Sequence, residues 1–166
     1  PHPSSSLPCL IQNIYYYKIT ILKLFLTIHL SINLTQGINM SRQTIQTDKA
    51  PAAVGTYSQA VKVGNTVYIS GQLGFDPETM ELKDGFEAQA KQVFENIKAI
   101  CEAAGGTIND VVKFNVSLTD LNDFAALNEV FVANLSEPYP ARAAVQVAAL
   151  PKGGVVEIES ILYLES

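Results

Sequence analysis

The sequence predicts an α+β domain: a mixed sheet with two helices packed on one of its faces, in the order β-β-β-α-β-α-β-β. Three observations carry this. Short period-two alternations open and close the stretch from Met40 onward, two segments between them place apolar residues three and four apart, and Gly, Pro and Asn mark the breaks. Two amphipathic helices can bury both apolar stripes in one core only by covering the same sheet face.

In chain order, a short extended piece near Thr44–Gln46 and a loop with Pro51 lead into "YSQAVKVGNTVYISGQLG". Its two alternating runs, broken at Gly64-Asn65, read as a hairpin with strands near Ser58–Val63 and Thr66–Leu73. "FDPETMELKDG" reads as a loop, and Asp84 followed by Glu87 resembles a capping box at a helix start. The first helix carries Phe86, Ala90, Val93, Phe94, Ile97, Cys101 and Ala104 on one face and ends at Gly105-Gly106. Cys101 on that face reads as a core thiol, since no activating base is in view. Val111–Leu118 alternates, with Val112, Phe114, Val116 and Leu118 to one side and Lys113, Asn115 and Ser117 to the other. Asp120 and Asp123 start the second helix, which runs to about Asn134. The chain returns through "SEPYP" into the strand "ARAAVQV", turns at "PKGG" and closes with Val155–Leu164.

Residues 1–39 contain no acidic residue and are rich in Ile, Leu, Tyr, Asn and Ser, whereas the domain from Met40 to Ser166 has nine Lys and Arg against all sixteen Asp and Glu, a formal charge of −7. So acidic a domain excludes nucleic acid as the expected partner and favours small molecules or proteins. The apolar run Ile19–Leu34 is 16 residues long and holds Lys23 and His29, short of the ~20 residues of a spanning helix. Residues 1–39 are therefore read as an upstream extension that is disordered or not native to the domain. A membrane or targeting segment is the alternative, and no membrane contact is expected for residues 40–166. Cys9 and Cys101 fit a reducing compartment, and a cytoplasmic location is expected, or a mitochondrial one if the leader is a targeting segment. Both histidines, His2 and His29, lie in the leader, so the domain has no Ser-His or Cys-His dyad and no His-ligated zinc.

The chain has two arginines, Arg42 and Arg142, and the second sits inside the alternating strand "ARAAVQV". On the last two strands, alternation groups Arg142, Ala144 and Gln146, and likewise Glu157, Glu159, Ile161 and Tyr163. Arg142 and Glu157 are expected to share the helix-free face, together with Ser70, Gln72, Asn115 and Ser117, and that face is expected to be a subunit interface. Two roles for Arg142 stay open on the residues alone. One is a cross-strand ion pair with Glu157 or Glu159 that pins the last hairpin. The other is a carboxylate receptor, because the planar guanidinium meets a carboxylate with two parallel hydrogen bonds.

"PARAAVQVAALPKGGVVEI", Pro140 to Ile158, resembles the signature of the RidA (YjgF) family. "GTYSQAV" (Gly55–Val61), "YISGQLG" (Tyr68–Gly74) and "DLNDFAALNEVF" (Asp120–Phe131) are similar to its other common stretches, so the resemblance covers essentially all of Met40–Ser166. It implies a chorismate-mutase-like fold, a homotrimer with ligand clefts between subunits, and hydrolysis of reactive 2-enamine and 2-imine acids such as 2-iminobutanoate and 2-iminopropanoate to 2-oxo acids and ammonia, a metabolite damage-control role. It assigns substrate-carboxylate binding to Arg142 and water positioning to Glu157, and it puts Tyr57 and the Ser70-Gly71 backbone in the cleft. Many members carry Cys where this chain has Ala144, a departure that removes a modifiable position and leaves imine chemistry intact.

The chemistry suits this inventory. An iminium carbon is already electrophilic, so the site must hold the carboxylate, orient a water and move protons, for which one Arg and one carboxylate suffice without metal, flavin or pyridoxal cofactor. A non-catalytic trimer that binds small carboxylated metabolites or a protein partner is the alternative. Asn128 and Gln72 are read as structural hydrogen-bonders.

Overall fold

The computed structural model describes residues Ser41–Glu165 together with Lys23; apart from Lys23, the leader and its apolar run lie outside the described residues. The strands are β1 (Gln43–Ile45), β2 (Ala60–Val63), β3 (Thr66–Leu73), β4 (Val111–Leu118), β5 (Ala141–Gln146) and β6 (Val156–Tyr163), and the helices are α1 (Phe86–Ala104) and α2 (Phe124–Asn134). They form one six-stranded sheet in the order β1-β2-β3-β6-β4-β5, antiparallel except for β4 with β5. The predicted α+β order stands. Among the described residues no helix is long and apolar enough to cross a membrane.

The core lies between the sheet and the two helices. Phe94 of α1, Phe114 of β4 and Phe131 of α2 meet with ring centroids 4.9–5.9 Å apart, two of the three pairs edge to face, around which Ile97, Leu118, Leu127, Ile158 and Leu162 are fully buried. Along β6, Val156, Ile158, Ser160 and Leu162 are buried while Glu157, Glu159, Ile161 and Tyr163 turn to the open face. Gly105 closes α1 in the left-handed region, its N–H bonded to Glu102 O (3.0 Å) and that of Gly106 to Cys101 O (2.9 Å), which satisfies the last-turn carbonyls. Asp120 receives Asn122 N at 2.9 Å ahead of the short turn Leu121–Asp123 that precedes α2.

Several expectations are corrected. The start of α1 has no side-chain cap: Gly85 occupies the capping position and Asp84 does not bond the helix. On β4 the register slips between Val111 and Lys113, so Val111 is buried and Val112, the extra residue, is exposed, reversing the side assigned to Val112. A slip on β3 between Ile69 and Gln72 turns Gln72 to the side of Ile158 and the core, while Ser70 stays with Asn115 on the open face. Finally, β5 and β6 are not a hairpin. The chain crosses from β4 through α2 to a parallel β5 at the sheet edge, and β4 separates the two strands that carry Arg142 and Glu157.

Candidate functional site

Glu157 opens β6 on the face away from the helices, directly opposite Leu73 near the end of β3. Its carboxylate lies against Gly71, where a Cβ would collide with Glu157 Oε1, so a larger residue there would push the acid out of its present position. The bulge that sets this approach is held by Gln72, whose Nε2 donates to Ser70 O at 3.0 Å and Gly71 O at 3.4 Å, and by Ser70 Oγ, which donates to Ser58 O at 2.7 Å. Glu157, Gly71 and the half-exposed ring of Tyr57 line a cleft of about 660 Å³, inside the roughly 300–1,000 Å³ span of small-molecule sites. Burial, and after it the neighbouring Glu159 carboxylate, raises the Glu157 pKa above the ordinary Glu value. An acid so tuned takes and returns a proton nearer neutrality than a solvated one.

The cleft is framed by buried amides that sequence reasoning did not single out. Gln59 donates to Ala50 O (3.1 Å) and Pro51 O (2.8 Å) and accepts from Thr47 N (2.7 Å), which fixes the segment that forms one wall. Gln89 and Asn96 of α1 reach the opposite rim: Gln89 bonds Lys83 O and Val155 N, each at 3.0 Å, and Asn96 donates to Leu73 O and Phe75 O. The available signal was an amide at each of two positions on the buried side of α1, where a stripe that served packing alone would be apolar.

Arg142 is elsewhere. It pairs in register with Phe114, so it points to the helix side of the sheet at the exposed edge. Its guanidinium lies 4.6 Å from the Phe131 ring centroid and 5.3 Å from that of Phe124, and Nη2 donates to Asn128 Oδ1 at 2.8 Å. It lines a depression of about 380 Å³ with Tyr139 and Pro140. The expected shared face is corrected, since Arg142 does not lie on Glu157's side of the sheet, and of the two roles left open the cross-strand ion pair with Glu157 or Glu159 does not form among the described residues. Alternation fixed which residues of β5 lie together but not which side they take; the parallel pairing with β4 decides that. Among the described residues no carboxylate pairs with the guanidinium, so its outer N–H donors remain open to a ligand.

Of the predicted site residues, then, Tyr57, Gly71 and Glu157 come together. Ser70 lines a neighbouring depression with Asn115 and Glu159, and Arg142 stands alone on the far side. Cys101 is buried, with its thiol pushed up to about 12 by burial and by the charge of Asp110, which bears out the core reading.

A single mixed sheet with both helices on one face and an acid-bearing cleft at its other side places the chain among small α+β domains of the RidA kind. The match with known proteins is specific: the family model described as Endoribonuclease L-PSP covers residues 47–164, and the chain belongs to this family, the RidA/YjgF family. The crystal structure of RidA from the Antarctic bacterium Psychrobacter sp. PAMC 21119 is similar at 93% identity and TM-score 0.73, over 74% of this chain and 99% of that one. The 2-iminobutanoate/2-iminopropanoate deaminase of Capra hircus is 54% identical over 74% of this chain and 90% of its own length. Escherichia coli TdcF, solved with bound serine, is 43% identical with TM-score 0.70, over 74% of this chain and 99% of that one.

Proposed function

We propose that residues 40–166 hydrolyse 2-imino acids, and the enamines that tautomerise to them, to 2-oxo acids and ammonia. The observation that carries this is the combination of a glycine-backed acid with raised pKa in a small-molecule cleft and an arginine that has no acid partner among the described residues, opposite charges suited to the two ends of one short zwitterionic substrate. The name of the Capra hircus relative and the serine bound by TdcF, itself an amino acid with a free carboxylate, support the same class. The endoribonuclease description of the family model fits less well with a domain of charge −7 that lacks histidine.

In this reading Arg142 holds the substrate carboxylate through two parallel hydrogen bonds, with Asn128 and the Phe131 ring fixing the plane of the guanidinium. Glu157 takes a proton from a water whose oxygen adds to the iminium carbon, forming a carbinolamine. It returns that proton to the nitrogen, the C–N bond breaks with its electron pair leaving on ammonia, and the hydroxyl proton passes by way of Glu157 to give ammonium and the 2-oxo acid. Tyr57 and the Gly71 backbone line the pocket around the reacting carbon.

Arg142 and Glu157 lie on opposite faces of one sheet, so one chain alone does not bring them to one substrate. A second copy supplies the missing half, and the homotrimer with clefts between subunits is the assembly we infer. Exposed Tyr68 and Tyr163, diagonal neighbours on the helix-free face, and exposed Val145 further along the same face support an interface there, since large exposed apolar groups on one face mark contact surfaces. The experiment generates 2-iminobutanoate with a threonine dehydratase and follows ammonia release with and without the chain truncated before Met40. Acceleration by a sedimenting trimer is expected; no acceleration, or a monomer at micromolar concentration, refutes the reading.

A further inference from the structure

The cleft carries a second feature that imine hydrolysis itself does not use. Among the described residues only two that are not glycine adopt positive φ, Met80 and Lys152, each at φ 57°, and both line the Glu157 cleft. A side chain in the left-handed region crowds its own carbonyl, and such strain persists where the surroundings over-determine the backbone, most often at functional sites. At Met80 they do so. The loop after β3 is closed by Met80 N to Asp76 O and Asp76 N to Glu81 O, each at 2.9 Å, and by a bridge between Phe75 and Leu82. The Asp76 carboxylate braces it from within, accepting from Glu78 N at 2.9 Å, Thr79 N at 3.3 Å and Lys83 Nζ at 2.6 Å. Glycine would fit this turn without strain, yet a methionine stands there, 40% exposed and lining the cleft.

The cleft joins polar and apolar groups. Beside Glu157, Gly71 and Tyr57, the residues Val54, Leu73, Phe75 and Met80 give its lining an apolar wall. A substrate whose reacting carbon sits at Glu157 extends its side chain along that wall. Resting on the deaminase reading, we propose that Met80 is a specificity-determining residue that packs on the substrate side chain and favours 2-imino acids, and their 2-oxo products, with aliphatic side chains longer than methyl. Its unbranched, polarisable thioether suits a wall that must meet chains of different shape.

The test compares binding of pyruvate, 4-methyl-2-oxopentanoate and 2-oxoglutarate, by calorimetry, to the parent, Met80→Ala and Met80→Gly. The parent is expected to prefer 4-methyl-2-oxopentanoate, and both variants to lose roughly tenfold of that preference while pyruvate affinity stays within about twofold. Met80→Gly should also melt higher than Met80→Ala because it removes the strain, which verifies the loop in a folded protein. An unchanged preference in the variants, an equal loss for pyruvate, a parent that prefers 2-oxoglutarate and so reads the side chain through Lys152, or a parent that binds none of the three overturns the proposal. Imine turnover is measured on the same proteins: a parent that binds with the expected preference but hydrolyses nothing refutes the deaminase reading alone.

Discussion

Arg142→Lys separates charge from shape at the edge of the sheet. The substitution keeps one positive charge over Phe131, 4.6 Å away in the parent, and a donor within reach of Asn128. For the fold little is lost, because an exposed cation–π contact is worth about 0.5–1 kcal/mol and an ammonium retains part of it. At about 1 kcal/mol or less, melting should move by no more than about 5 °C for a domain of this size. For the reaction the loss is large. An ammonium cannot present two parallel N–H donors to a carboxylate, and misplacing the reacting carbon by about 1 Å costs on the order of 10²-fold, or about 2.7 kcal/mol of transition-state stabilisation. The assay is ammonia release from 2-iminobutanoate beside a thermal melt of the same protein. Near-normal kcat/KM with a shifted melt would refute the receptor role and leave Arg142 as an edge residue that serves the fold.

Glu157→Gln should lower turnover while raising stability near neutral pH. Burial raises the folded-state pKa of Glu157, so the stability tied to its neutral form is complete below the ordinary value of 4.5 and is lost as pH rises through the raised value. The amide escapes that loss, and its melting advantage should vanish in acid; an advantage that grew in acid would contradict the burial argument. Parent activity should fall, as pH is lowered, at a pH above that of an ordinary Glu, read from kcat/KM against pH, which reports the free enzyme. Ser160→Ala should hold or gain up to about 1 kcal/mol in a denaturant titration, because Ser160 Oγ is buried with no hydrogen-bond partner among the described residues; a clear loss would reveal a partner. Cys101, with its thiol near 12, should resist iodoacetamide at pH 8 until denaturant is added, as peptide mass mapping would report.

How much the sequence disclosed depended on whether a signal was local. Gly64-Asn65 placed the β2–β3 hairpin, the apolar stripe from Phe86 to Ala104 with Gly105 after it delimited α1, and the alternation of β6 separated Glu157 from Ile158 correctly. What failed needed information from a neighbouring strand. Period two says which residues share a side but not which side, and on β5, exposed at nearly every position, no apolar stripe breaks the tie. Each bulge then reverses the phase partway along its strand: one residue at Val112 exchanged the sides of Val111 and Val112, and one on β3 carried Gln72 into the core. At the site, motif resemblance picked out Tyr57, Gly71 and Glu157, which do meet, whereas Gln59, Gln89 and Asn96 escaped notice because an amide that satisfies backbone carbonyls looks, in a sequence, like any other surface amide.

The opposite placement of Arg142 and Glu157 also has a genetic consequence. If every working cleft takes its arginine from one chain and its acid from the next, a protein carrying only Arg142→Lys and one carrying only Glu157→Gln are each defective, but not in the same half of the cleft. Co-expressed or mixed through a cycle of dissociation, they assort into rings where some contacts bring an intact arginine against an intact acid. With equal amounts and random assortment, about a quarter of the contacts in a closed cyclic oligomer are of this kind, so two silent alleles should restore about a quarter of the parental activity when present together. A double variant, with both lesions in one chain, should restore nothing when mixed with either single variant. Complementation would thus count subunits across a site without any structure of the assembly.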